Sequence, residues 1–115
     1  MTTTLITLDV SSSIGKVSAE YFIPDNATSI VTLAHGAGAG MNHSFMVTLA
    51  NSLAAFDIAT LRFNFPFTEH GKRRVDGPAV AHKTIEAAIT HAHQTFPFIP
   101  LFVSGKSFGG RMSSQ

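Results

Sequence analysis

The chain changes its hydrophobic rhythm along its length. Thr4 to Val10 reads as a short strand, followed by a turn at Ser11–Ser13. In Lys16 to Ile23 apolar residues recur at every second position (Val17, Ala19, Tyr21, Ile23), the period of a half-buried strand, and Pro24 stops it. Asp25 and Asn26 supply a turn. Ser29 to Ala34 is a compact, β-branched run of the kind found in buried strands. Phe45, Met46, Leu49 and Leu53 then recur at helical spacing, with Asn42 or Ser44 as the expected cap. Ile58 to Phe63 is the next strand and ends near Pro66. Residues 67–76 are polar and loop-like. Pro78 suits the first turn of a helix whose apolar side is Val80, Ile85, Ala88, Ile89 and Ala92, ended by Pro97 and Pro100. Leu101 to Ser104 is a short apolar strand, and Gly105 to Gly110 a glycine-rich turn.

From residue 29 the order is therefore strand, helix, strand, helix, strand, turn. A helix between successive strands returns the chain to the same edge direction, so this alternation predicts an α/β fold with a mostly parallel sheet and helices on both faces. With 115 residues the chain has material for one domain, 1–115.

Composition narrows the function classes. Hydrophobic residues make up 44% and charged residues 13%, against about 25% charged in average chains. Such a chain buries much of its surface and is not disordered by composition. The net charge of +1 creates no field that would gather nucleic acid or an anionic membrane. The one basic run, Lys72, Arg73 and Arg74, reads as a solvated loop. No cysteine is present, which removes disulfides and thiolate metal sites. No apolar run approaches the roughly 20 residues of a membrane span, and Met1 to Val10 lacks the pattern of a secretory signal. A cytoplasmic protein is the expectation.

Two glycine-rich segments carry the candidate chemistry. Gly105-Lys106-Ser107-Phe108-Gly109 fits G-x-S-x-G directly after an apolar strand. In that setting the serine sits on a sharp strand-to-helix turn with its oxygen held above the sheet, and Gly105 and Gly109 are needed because a Cβ there would strike neighbouring backbone. His35-Gly36-Ala37-Gly38-Ala39-Gly40 lies between another strand and a helix. A nucleophilic serine needs N–H donors aimed at the oxyanion of its tetrahedral intermediate. Phe108, following the serine, and Ala37, in the Gly36/Gly38 loop, are the candidates. The His35 side chain is expected to brace the loop rather than act as a base.

Rival motifs fail on spacing. A phosphate-binding G-x-x-x-x-G-K-S loop ending at Ser107 requires glycine where Pro100 stands. A dinucleotide G-x-G-x-x-G pattern started at Gly36 or Gly38 ends on Met41 or His43. The histidines share no ligand spacing, and His91 and His93 point to different faces of a helix, so neither a metal nor a cofactor is expected.

Taken together and in order, His35–His43, Arg62-Phe63-Asn64-Phe65-Pro66-Phe67 and Gly105–Met112 resemble the small α/β-hydrolases, in particular a dienelactone-hydrolase-like group similar to the hydrolase-like subunit of the non-specific-lethal chromatin complex. The resemblance spans about residues 30 to 115. It implies a partial α/β-hydrolase fold, with Ser107 as nucleophile, Ala37 and Phe108 as the oxyanion hole, and a small acyl substrate.

The chain departs from that pattern in one respect. The order in this fold is serine, then acid, then histidine. Here the last histidine is His93, the last acid is Glu86, and only eight residues follow Ser107. The expectation is an N-terminal half that ends just after the nucleophile and is inactive alone. The last strand would then have an open edge through which the chain self-associates. A non-catalytic interaction module on the same fold is the alternative function. A phosphate-binding domain using Gly36–Gly40 at a helix start is a third.

Overall fold

The computed structural model describes residues 1–115. Strands β1 (Thr2–Ser11) and β2 (Gly15–Ile23) form an antiparallel hairpin. In its turn the Ser11 hydroxyl accepts the Ile14 N–H at 3.0 Å, and Gly15 takes φ +92°, a conformation open to glycine and strained for other residues. Then follow β3 (Ser29–Ala34), α1 (Ser44–Ala54), β4 (Ile58–Phe63), α2 (Pro66–Glu69), α3 (Pro78–Thr95), β5 (Leu101–Gly105) and α4 (Phe108–Ser113). The five strands make one sheet in the order β1-β2-β4-β3-β5. The alternating region is parallel, with β3 paired to both β4 and β5. The hairpin joins it antiparallel through β2 and β4, so the sheet is mixed.

One sheet face carries the main core. Leu8, Val17, Ala19, Tyr21, Ile30, Ala59, Leu61 and Phe63 meet Ala81, Ile85, Ala88 and Ala92 of α3. The three alanines let the α3 backbone lie close to the sheet, and Thr84 is accommodated because its hydroxyl donates to the Val80 carbonyl at 2.9 Å. Val80 and Ile89, expected on the apolar side, are only half-buried.

Helix α1 packs the opposite face, through Met46, Ala50 and Ala54. This corrects the expected face of Phe45, Met46, Leu49 and Leu53. The helix is rotated so that its small residues approach β4, leaving Phe45 45% exposed and Leu49 and Leu53 half-buried. Neither Asn42 nor Ser44 caps it. His43 does, with Nδ1 accepting the Phe45 N–H at 3.2 Å. The loop expected over 67–76 begins inside α2, a single turn started by Pro66 at its first position. Aromatic packing holds that turn down: Phe65 and Phe67 are buried against His35 and Phe108.

β5 forms one edge of the sheet and its outer side is unpaired. Phe102 and Val103 there are 57% and 39% exposed, so the open apolar edge expected from sequence is present. No helix is long and apolar enough to cross a membrane.

Candidate active site

The site lies at the C-terminal ends of the parallel strands, where β3 and β5 run into the two glycine segments. Ser107 joins β5 to α4 with φ 54° and ψ −116°, a region that L-residues occupy at a cost of about 1–3 kcal/mol. Glycines on both sides make the bend feasible. A Cβ on Gly105 would come within 2.5 Å of the Gly109 carbonyl carbon, and one on Gly109 within 2.5 Å of the His35 carbonyl oxygen. Gly110 is constrained less tightly, its Cβ position lying 2.8 Å from the Gly105 oxygen. The strand end is fastened to its neighbour by the Lys106 N–H, which donates to the Ala34 carbonyl at 3.0 Å. The Ser107 side chain is exposed while Phe108 beside it is buried, so the turn pins the apolar residue and presents the polar one.

The loop after β3 runs alongside. Gly36 is the contact point, with its Cβ position 3.5 Å from Ser107 Cβ. Gly38 has open space around it, so its role is not steric. Gly36, Ala37, Gly38 and Ala39, with His43, Met46, Lys106 and Ser107, line a cleft of about 280 Å³. No backbone or side-chain acceptor within the chain takes the N–H of Ala37 or of Phe108. The Ala37 N–H lies in an exposed loop and the Phe108 N–H opens α4, where the first amides have no intrahelical partner, so both are free to donate beside the serine.

His35 is fully buried and uses both ring nitrogens. Nε2 accepts the Phe65 N–H at 3.0 Å, which places the proton on Nδ1, and Nδ1 donates to the Gly36 carbonyl at 2.7 Å. Burial pushes the ring below the usual histidine range, outweighing the Gly36 hydrogen bond and the Asp76 charge, which raise it. His35 is thus a neutral brace for the start of the loop, as expected from the sequence.

The sequence did not reveal what holds the other end. Arg62, 4% exposed, donates to the Met41 carbonyl at 2.7 Å and pairs with Glu20 at 2.6 Å. Asn64 accepts the Met41 N–H at 2.9 Å and donates to Glu69 at 3.1 Å. Glu69 also accepts from the Ser18 N–H and hydroxyl at 2.8 and 3.0 Å. Its burial raises the carboxyl pKa, but these hydrogen bonds and the nearby His70 charge together bring it below the ordinary value. The sequence signal was the Arg62-Phe63-Asn64-Phe65-Pro66-Phe67 motif, which marks these residues without showing what they hold.

No histidine is hydrogen-bonded to Ser107. Both nitrogens of His35 are engaged, and His43, which lines the same cleft, caps α1 through Nδ1. Lys106 Nζ is 4.2 Å from the centre of the Phe45 ring.

Residues 27–115 match the alpha/beta hydrolase domain family. No curated protein matches the chain in sequence. Among solved structures, an alpha-beta serine hydrolase homologue from Coxiella burnetii superposes with a TM-score of 0.82 at 21% identity, over 99% of this chain and 56% of that one. Dienelactone hydrolase from Anabaena variabilis gives 0.83 at 19%, over 97% and 55%. A lidless a/b serine hydrolase from Xanthomonas campestris gives 0.76 at 21%, over 96% and 53%. The chain therefore spans about half the length of these structures. The likeness to dienelactone hydrolase expected from sequence is present in the fold; nothing found bears on the chromatin-complex subunit.

Proposed function

The chain belongs to the alpha/beta hydrolase domain family, and from that premise we propose that it is the nucleophile-bearing half, residues 1–115, of a serine hydrolase acting on small esters or related acyl compounds. The observation that carries this reading is the strained φ of 54° at Ser107 beside two unpartnered amides, Ala37 and Phe108. In the proposed reaction Ser107 Oγ attacks the acyl carbon. The C–O bond forms as the carbonyl π pair moves onto oxygen, and the Ala37 and Phe108 N–H groups stabilise the resulting oxyanion. Such donors are worth roughly 3–4 kcal/mol of barrier each. A base takes the Ser107 proton and passes it to the leaving oxygen, so that collapse expels the alcohol and leaves an acyl-serine that water cleaves. The serine proton needs a base, and in this fold the acid and histidine follow the nucleophile in the chain. His35 is buried, neutral and fully engaged, so it does not substitute. The 115-residue chain alone is therefore expected to show no turnover. The near-neutral net charge supports a protein that does not gather nucleic acid.

The test is labelling by a fluorophosphonate probe, with Ser107→Ala as control, on this chain and on a polypeptide that also carries the acid and histidine. Absence of Ser107-dependent labelling in the longer polypeptide removes the proposal. A second reading, a non-catalytic interaction module that self-associates, is favoured by one observation: the unpaired β5 edge with Phe102 and Val103 exposed. It requires a stable dimer or complex at micromolar concentration together with no labelling, and a monomer on a sizing column counts against it.

A further inference from the structure

Met41, where the glycine loop enters α1, is gripped on both sides of its backbone. Its N–H donates to Asn64 Oδ1 at 2.9 Å and its carbonyl accepts from Arg62 Nη1 at 2.7 Å. Arg62 is held independently by Glu20 and also reaches Asn42 Oδ1 at 3.2 Å. Asn64 is held by Glu69, which is itself fastened to the backbone and hydroxyl of Ser18 on β2. The orientation of the Asn64 amide follows from its partners, because a backbone N–H only donates and a carboxylate only accepts. The loop lies close against this group: a Cβ on Gly40 would sit 2.9 Å from Thr68 Cγ2 and 3.2 Å from Asn64 Oδ1. Between its two ends the loop is held by little. Gly36 is fixed by His35, and over residues 37–40 the one direct hydrogen bond is from the His43 N–H to the Gly40 carbonyl, at 3.1 Å. Gly36 and Met41 are therefore the two fixed points between which the Ala37 N–H is presented.

We infer that Asn64 is a positioning residue for the proposed reaction: by fixing Met41 it aims the Ala37 N–H at the oxygen that develops beside Ser107. The inference rests on the reading of Ala37 as an oxyanion donor. Misplacing a donor by about 1 Å forfeits much of its effect on the barrier.

Two substitutions separate positioning from simple support of the fold. Asn64→Leu removes both hydrogen bonds at similar volume. Asn64→Asp keeps an acceptor for the Met41 N–H but sets a second carboxylate where the amide had donated to Glu69, so the fold suffers from like charge. If Asn64 only supports the fold, the Asp variant is at least as impaired as the Leu variant in every measurement. If it positions the loop, stability and reactivity part company. The experiment is the labelling rate of Ser107 by a fluorophosphonate at neutral pH, in the polypeptide that carries the acid and histidine, alongside urea midpoints for the same variants. The Leu variant is expected to label about 10- to 100-fold more slowly, and the Asp variant within about threefold of the parent despite equal or lower stability. A Leu variant that labels at the parent rate, or two variants that slow in proportion to their loss of stability, overturns the inference. Should the parent itself fail to label, the proposed function falls separately, and the amide resonances of Ala37 and Gly38 in the 115-residue chain decide this point. A shift or broadening in Asn64→Leu that Asn64→Asp does not share upholds it, and unchanged resonances in Asn64→Leu overturn it.

Discussion

Replacing Gly109 with alanine tests how the bend at Ser107 is held. Gly109 lies in α4, and at an ordinary helix position alanine is favoured over glycine by about 1 kcal/mol. Here the new methyl would meet backbone rather than side chains: the Ala34 carbonyl oxygen, the His35 carbonyl oxygen at 2.5 Å and the Ala34 carbonyl carbon at 2.6 Å. Backbone at the end of a strand has no rotamer to change, so either β3 or α4 must move. Overpacking with side chains able to adjust costs about 1–3 kcal/mol; contact with fixed backbone puts this site at the top of that range, about 3 kcal/mol net. Gly38→Ala is the matched control. Nothing lies within 4 Å of its Cβ position and its φ is not in the left-handed region. That change is therefore expected to be neutral or to stabilise by up to about 1 kcal/mol through the unfolded chain. The assay is urea unfolding followed by far-UV circular dichroism. With an m-value of about 1.5 kcal/mol/M, Gly109→Ala lowers the midpoint by about 2 M while Gly38→Ala leaves it within about 0.7 M of the parent. A Gly109→Ala midpoint within about 0.3 M of the parent, equivalent to less than about 0.5 kcal/mol, would refute the close packing of elbow on strand.

Two further outcomes follow from the same geometry. Ser107→Gly is expected to raise stability by about 1 kcal/mol or more by relieving the backbone at φ 54°, whereas Ser107→Ala keeps the strain and stays near the parent; urea midpoints compare the two, and equal values would show that the bend is unstrained. Acid should weaken the fold in two stages. His35 is depressed below its ordinary value of 6.5, so its contribution is complete above that pH and declines below it, as the unfolded chain takes up the proton that the fold resists. Glu69, depressed below 4.5, adds a second decline at lower pH. Urea midpoints measured across pH 7.5 to 3.5 check this, and His35→Gln should abolish the earlier decline.

How much of this was legible in the sequence depended on the range of the interactions. Strand and helix positions follow from periodicity, a local property, and all five strands and both long helices occur where the pattern puts them. The elbow was legible because Gly105 and Gly109 answer a steric demand within five residues. The bracing role of His35 was legible because its Gly36 contact is with the next residue. The buried face of α1 was misjudged because periodicity shows where apolar residues recur and not which of them the sheet admits; small Ala50 and Ala54 were admitted and large Phe45 was left outside. α2 is one turn long and has no period to detect. The Asn64–Glu69–Ser18 chain was not legible because Ser18 on β2 and Glu69 on α2 are 51 residues apart, and the Arg62–Phe67 motif marks residues without showing what they hold.

Backbone strain offers an internal comparison that bears on function. Two non-glycine residues have positive φ, Asp57 at 64° and Ser107 at 54°. Asp57 has a local account. Aspartate tolerates the left-handed region better than most residues, and it follows the end of α1, where a left-handed residue often closes a helix. Its N–H donates to the Ala54 carbonyl at 3.0 Å and its carbonyl accepts the Thr28 N–H at 2.8 Å, so the conformation is repaid on the spot. Ser107 accepts the Arg111 N–H at its carbonyl, at 2.9 Å, but neither its N–H nor its side chain is hydrogen-bonded. Its ψ of −116° lies outside the left-handed helical well, its side chain is exposed, and glycine would occupy the position without cost. A chain shaped by stability alone would carry glycine there, as it does at Gly105, Gly109 and Gly110. That a serine stands at the strained position, flanked by glycines that make the strain geometrically feasible, argues that the hydroxyl itself is what the bend serves.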